Sequence, residues 1–165
     1  MSRFQKCMHN KRCCVELTNR QREIPFSFPS NVAEQLVITV LENESQQANL
    51  VSIHFVSDRV MRRHHKKFFD DSSSTDCMSF PIDRSPDEAG YRHLGDIFVC
   101  PLVASTRANG DPAKFFYEIS LYIVHGLLHL LGYNDETPKE KTVMRRRERS
   151  AMARFYRIYS AEFNL

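Results

Sequence analysis

Two imidazoles four residues apart, His125 and His129, sit inside an otherwise apolar run covering residues 119–131. On an α-helix, side chains at i and i+4 lie one above the other on the same face, so both rings can aim at one point. Gly132 follows the run and supplies a stop, because glycine readily takes the left-handed conformation that ends helices. Asp135, six residues after His129, can return toward the same point from the ensuing turn. Two nitrogens and one oxygen so placed make an open three-ligand set of the kind a catalytic zinc uses. Nickel or iron would accept the same donors. A lone histidine in an apolar helix is ordinarily a hydrogen-bonded core residue. A pair at helical spacing, followed by a glycine turn and a carboxylate, predicts a metal site instead.

The residue after His125 bears on which reaction such a site could run. In zinc peptidases of the His-Glu-x-x-His type, that residue is the glutamate serving as general base. Here it is Gly126, which can neither deprotonate a water nor hand a proton to a leaving amine. A glycine at this position instead lets a neighbouring segment or a substrate approach the helix closely. Peptide hydrolysis becomes the minor alternative.

The helix bearing the histidines has clear local signals. Asp111 is a good N-cap and Pro112 suits the first helical position, so the spacing predicts a central buried helix from there to Leu131. Upstream, a first strand is expected at 13–18. A helix should begin at Ser30 or Asn31, with Glu34 near its start completing the cap, and run to about Glu44. Residues 50–57 alternate as a strand, with Val51, Ile53 and Phe55 on one face. Asp58 is the expected cap of a short cationic helix to Phe69. Further strands are predicted at 77–82 and 94–100, a short helix at 101–109, and a last basic helix from Thr137-Pro138 to about Tyr159. The order predicts an α+β fold: a small mixed β-sheet of about four strands covered by helices, with the metal site on a central buried helix and its following turn.

At 165 residues the chain suits one domain over 1–165, with 1–11 a loose basic start. The apolar fraction of 42% and charged fraction of 26% are those of an ordinary globular protein. No apolar run suits a membrane span and the N-terminus lacks the apolar core of a secretory signal, so no membrane partner is expected. Five cysteines, odd in number and irregular in spacing, predict free thiols in a reducing cytoplasm rather than a disulfide framework. A net charge of +3 permits a polyanionic partner without requiring one.

Residues 125–135, His-Gly-Leu-Leu-His-Leu-Leu-Gly-Tyr-Asn-Asp, closely resemble the signature HGxLHLxGYDH of the YbeY family and differ from it at the last two positions. Residues 75–81, Thr-Asp-Cys-Met-Ser-Phe-Pro, look like the family's TDVLSFP element, and Leu94-Gly95-Asp96-Ile97 like its LGDI element. The resemblance covers about residues 15–155. It implies a zinc-dependent endoribonuclease, specific for single strands, that acts in bacterial rRNA maturation (16S rRNA 3′-end processing) and ribosome quality control. It further implies one Zn2+ per chain held by His125, His129 and Asp135, rRNA of the small ribosomal subunit as partner, no DNA partner, and a cytoplasmic location.

Two departures from the family pattern stand out. The third ligand, usually histidine, is Asp135. An arginine of a YRxKDxPTD-like stretch falls on Phe69, which leaves Arg63, Lys66 and Lys67 as candidates to bind the substrate in its place. No general base is assigned. Asp76, Asp96 and Ser79 lie in matched elements, but such residues ordinarily fix loops, strands or turns. His9, His54, His64, His65 and His93 have no suitably spaced partner and are left outside the metal site. The second expectation is a non-catalytic ribosome-assembly or RNA-binding factor with a structural metal; the third is the peptidase.

Overall fold

The computed structural model describes residues 13–163; the expected loose start at 1–11 and His9 lie outside them. Four strands form one sheet: β1 (Cys14–Asn19), β2 (Leu50–Phe55), β3 (Cys77–Pro81) and β4 (His93–Val99). Their order is β1-β2-β4-β3, with β1, β2 and β4 parallel and β3 antiparallel to β4. Among the described residues five helices accompany them: α1 (Ser30–Asn43), α2 (Asp58–Phe69), α3 (Pro101–Ala108), α4 (Pro112–Leu130) and α5 (Pro138–Phe163). The expected small mixed sheet with helical cover is the observed architecture.

Alternation along the strands separates the two faces of the sheet. Val15, Val51, Ile53, Phe55, Ile97 and Val99 join α1, α4 and α5 in the main core. The opposite face is covered only in part, by α2, whose Met61 packs with Met78, Phe80 and Phe98, and by Leu102 and Val103 at the start of α3. On the uncovered part, Glu16 is exposed and Thr18 and His54 are half-buried. Leu50 and Ser52 are buried as well, although simple alternation would leave them open.

Helix α4 is the central element. Ile119, Ile123, Val124, Leu127 and Leu128 are all fully buried, each worth roughly 1.5–3 kcal/mol relative to exposure. Its start is the expected one, with the Asp111 carboxylate accepting from the N–H groups of Ala113 at 2.9 Å and Lys114 at 3.1 Å. Helix α5 opens with a reciprocal capping box in which Thr137 and Glu140 serve each other's backbone N–H groups. It continues to Phe163, one turn beyond the expected end.

Several local expectations are corrected. The N-cap of α1 is Pro29, which has no side chain to offer, and Ser30 is already helical. Ser57, not Asp58, caps α2 by accepting from Val60 N–H; Asp58 sits in the first turn and binds Arg62 at 2.6 Å. Cys13, Cys77 and Cys100 are free thiols, whereas Cys14 is disulfide-bonded, contrary to the expectation of thiols throughout. No helix among the described residues is long and apolar enough to cross a membrane.

Candidate metal centre

The turn that ends α4 is built by Gly132. With φ at +93°, it occupies the left-handed region, and two hydrogen bonds close the helix end: Gly132 N–H to the His129 carbonyl at 2.9 Å and Tyr133 N–H to the Leu128 carbonyl at 3.0 Å. This is the Schellman arrangement of a helix terminated by glycine. Tyr133 then pins the turn to the end of α1, its hydroxyl donating to Glu44 at 2.6 Å. Arg147 of α5 lies over the Tyr133 ring at 5.7 Å and within 3.7 Å of Glu44. The segment carrying Asp135 is therefore tied to two other helices.

His125, His129 and Asp135 converge. Their candidate ligand atoms all lie within 4.8 Å of one another. The two Nε2 atoms are 2.9 Å apart, and Asp135 oxygens stand 3.9 Å from His125 Nε2 and 3.7 Å from His129 Nε2. Each ring is held through its other nitrogen. His125 Nδ1 lies 2.7 Å from Glu148 Oε1, and His129 Nδ1 lies 2.9 Å from the Tyr133 carbonyl. A carboxylate and a carbonyl can only accept, so both Nδ1 atoms carry the hydrogen and both Nε2 lone pairs face the shared point.

That arrangement suits a cation. Burial of the His125 ring opposes its protonation, but the Glu148 hydrogen bond and the charges of Glu148, Asp135 and Asp76 outweigh it and raise its pKa. For His129, burial and the neighbouring His125 charge lower it. The two shifts run in opposite directions, so the site favours one positive charge where the Nε2 atoms meet over two. Two imidazoles and a carboxylate are zinc-type donors, and a histidine tied to a carboxylate through its far nitrogen is a recurring feature of such sites. The residues present fit a metal ion. Asp135 keeps 41% of its side chain exposed, which leaves one side of the set open to solvent.

Gly126 sits between the histidines where β3 and β4 press against α4. A Cβ there would lie 2.6 Å from Ile97 Cγ2 and 3.0 Å from Ser79 Oγ. The Ser79 hydroxyl also donates to the Gly126 carbonyl at 3.0 Å. Gly126 thus serves close packing of a chain segment, and a glutamate would not fit in its place.

The other candidates lie elsewhere or act structurally. Asp76 accepts from Cys77 N–H at 2.8 Å and approaches Arg107 to 3.3 Å. Asp96 points to the opposite face of the sheet, 3.1 Å from His54 Nε2, while His54 Nδ1 meets the Thr18 hydroxyl at 2.8 Å. His93 approaches Ser52, His64 packs on Phe98, and His65 approaches the Ser73 carbonyl. Arg63, Lys66 and Lys67 are exposed on α2. That helix contacts Phe80 and Phe98, whereas their neighbours Ser79 and Ile97 contact α4. Successive strand residues point to opposite faces, so these cations and the metal centre occupy opposite sides of the sheet.

Glu148 escapes sequence reasoning, although one signal exists. It is the single acid in the run Arg145-Arg146-Arg147-Glu148-Arg149. The Tyr133 carbonyl leaves no trace in the sequence at all, since every residue has one.

The family profile described as Endoribonuclease YbeY matches residues 16–156. Among curated relatives, the Endoribonuclease YbeY of Protochlamydia amoebophila is 35% identical over 81% of this chain and 87% of its own length. That of Chlamydia muridarum is 37% identical over 84% of this chain and 85% of its own. A solution structure from Thermotoga maritima, 21% identical, superposes with a TM-score of 0.57 over 90% of this chain and 93% of that one, a likeness of fold. The matched span runs from β1 into α5 and takes in the His125–Asp135 turn, and on it the chain belongs to the YbeY family.

Proposed function

We propose that this chain is a metal-dependent endoribonuclease that hydrolyses phosphodiester bonds of single-stranded RNA in rRNA maturation. The observation that carries the proposal is the convergence of His125, His129 and Asp135, each imidazole oriented from behind, in a chain of this family. The reading includes one zinc ion per chain, rRNA of the small ribosomal subunit as partner, a role in ribosome quality control, a cytoplasmic site of action, and one domain spanning residues 1–165.

His125 Nε2, His129 Nε2 and the Asp135 carboxylate would hold the ion. A bound ion would supply Lewis-acid polarisation of a phosphoryl oxygen and acidification of water there. The chain's own contributions are positional. Glu148 and the Tyr133 carbonyl keep both Nδ1 atoms protonated and both Nε2 atoms available. The Schellman turn carries the Asp135 side chain back to the histidines. The half-exposed face of Asp135 leaves room for a substrate phosphate. Relative to histidine, aspartate reduces the positive charge of the set, so water acidification there should be weaker.

The test is cleavage of single-stranded RNA by the purified protein, with and without chelator, beside His129→Ala. Loss of cleavage in the variant and in chelator supports the proposal; full cleavage by His129→Ala would sink it. The departure at Phe69 motivates a second reading, a ribosome-assembly factor with a structural metal. Under that reading, His125→Ala leaves subunit maturation in cells normal while the fold persists. Peptide hydrolysis has no support from Gly126, whose surroundings exclude the catalytic glutamate.

A further inference from the structure

The end of α2 presents aromatic rings to solvent on a cationic helix. Phe68 is 50% exposed and Phe69 65%, and Ile82, just after β3, is 49% exposed. The rings continue inward, with Phe68 packed on Phe80 at 4.8 Å between centroids and Phe80 against Phe98 at 5.6 Å. His64 stacks on Phe68 at 6.3 Å, and His65 tilts against Phe69 at 5.3 Å. The same helix carries Arg59, Arg62, Arg63, Lys66 and Lys67 against one acid, Asp58. Arg62 is paired with Asp58, and Lys66 with Asp70. Among the described residues, Arg59, Arg63 and Lys67 have no ion-pair partner.

Large apolar side chains gathered at one exposed place mark an interaction surface. Its charge separates two classes of partner. Protein–protein interface cores are enriched in arginine and aromatics but depleted of lysine, so it is Lys66 and Lys67 beside the rings that favour single-stranded nucleic acid, which is held by aromatic faces that stack bases and by cations that track the backbone. Lys67 Nζ lies 5.1 Å from the Phe68 ring itself, so the cation and the ring would meet one nucleotide together.

We propose that Phe68 and Phe69 form a base-stacking platform for single-stranded RNA, with Arg63 and Lys67 contacting the adjacent phosphates. The proposal rests on the RNA reading above and adds where the strand lies. Phe80 beneath the platform and Ser79 beside Gly126 are neighbours on β3, which is an edge strand. An extended strand passing over that edge runs from the platform on one face to the metal centre on the other. A duplex, whose bases are already stacked and paired, gains nothing from the rings, so the platform selects single strands.

The test is fluorescence anisotropy of a short labelled single-stranded RNA, using the whole chain in the His129→Ala background to prevent cleavage. Phe68→Ala and Phe69→Ala should each weaken binding by roughly 5- to 150-fold, the range for one base–aromatic stack, and Phe69→Tyr should bind like the parent. An abasic strand of equal length should not distinguish the alanine variants from the parent. Arg63→Ala should lower the salt slope by about 0.7, one phosphate contact on a single strand, while the phenylalanine variants leave it unchanged. Alanine variants that match the parent on RNA overturn the platform while the nuclease reading stands. A parent that binds no RNA at any salt concentration overturns both. Variants that change only the oligomeric state in sedimentation make the patch a protein contact and overturn the platform.

Discussion

Glu148 lies 2.7 Å from His125 Nδ1, across 23 residues of sequence and from a different helix. The contact makes α5 part of the candidate metal centre although it supplies none of the three candidate ligands. Removing such an outer partner typically costs about 10–100-fold in metal affinity. Glu148→Ala should lose affinity in that range, and Glu148→Gln less, because the amide oxygen still accepts from Nδ1. Competition with a chromogenic chelator measures both; wild-type affinity in Glu148→Ala would remove the orienting role.

Asp135 is the member of the set that departs from the family pattern. Its side chain is 41% exposed, and the turn before it is anchored by Tyr133 on Glu44. Asp135→Ala should therefore fold normally and lose bound metal. Elemental analysis beside circular dichroism checks this: a folded variant with undiminished metal would exclude Asp135 as a ligand.

Gly126 sets two opposed effects against each other. Helix propensity favours alanine by about 1 kcal/mol, but the new Cβ would stand 2.6 Å from Ile97 Cγ2. Overpacking of a filled core costs about 1–3 kcal/mol, and Ile97 is fully buried. The clash should win. Gly126→Ala should lower the thermal midpoint by about 2–4 °C per kcal/mol of net loss, and a raised midpoint would show that β4 yields.

Acid sensitivity should have a contribution at Asp58. Its carboxylate accepts from the Ser74 hydroxyl and from Arg62, and these hydrogen bonds hold its pKa below the ordinary value. A depressed carboxylate stabilises the fold above its unfolded pKa of about 3.9, and the contribution disappears as pH falls through the lower folded value. Asp58→Asn should thus melt earlier than wild type near neutral pH and converge with it in acid. A gap between the two melting curves that does not change with pH would rule the linkage out.

What the sequence by itself determined is whatever depends on short spans of chain. Helical period puts His125 and His129 on one face, Asp111-Pro112 starts their helix, and Gly132 ends it. Those features rest on backbone geometry within a few residues, and the convergence of the three candidate ligands could be read from them; the family was read from the resemblance of residues 75–81, 94–97 and 125–135 to its elements. Caps were less legible: Ser30, Asn31 and Asp58 are all good cap residues by type, and only the path of the entering chain decides which position is used. The tertiary structure alone decided that Glu148 backs His125, that Gly126 is needed for the close approach of Ile97, and that Asp96 turns away from the metal centre. It also put α2, with Arg63, Lys66, Lys67 and the exposed phenylalanines, on the far face of the sheet. These depend on strand order and on which face each helix covers. Such long-range choices are set by the burial of the whole core, and no local spacing encodes them.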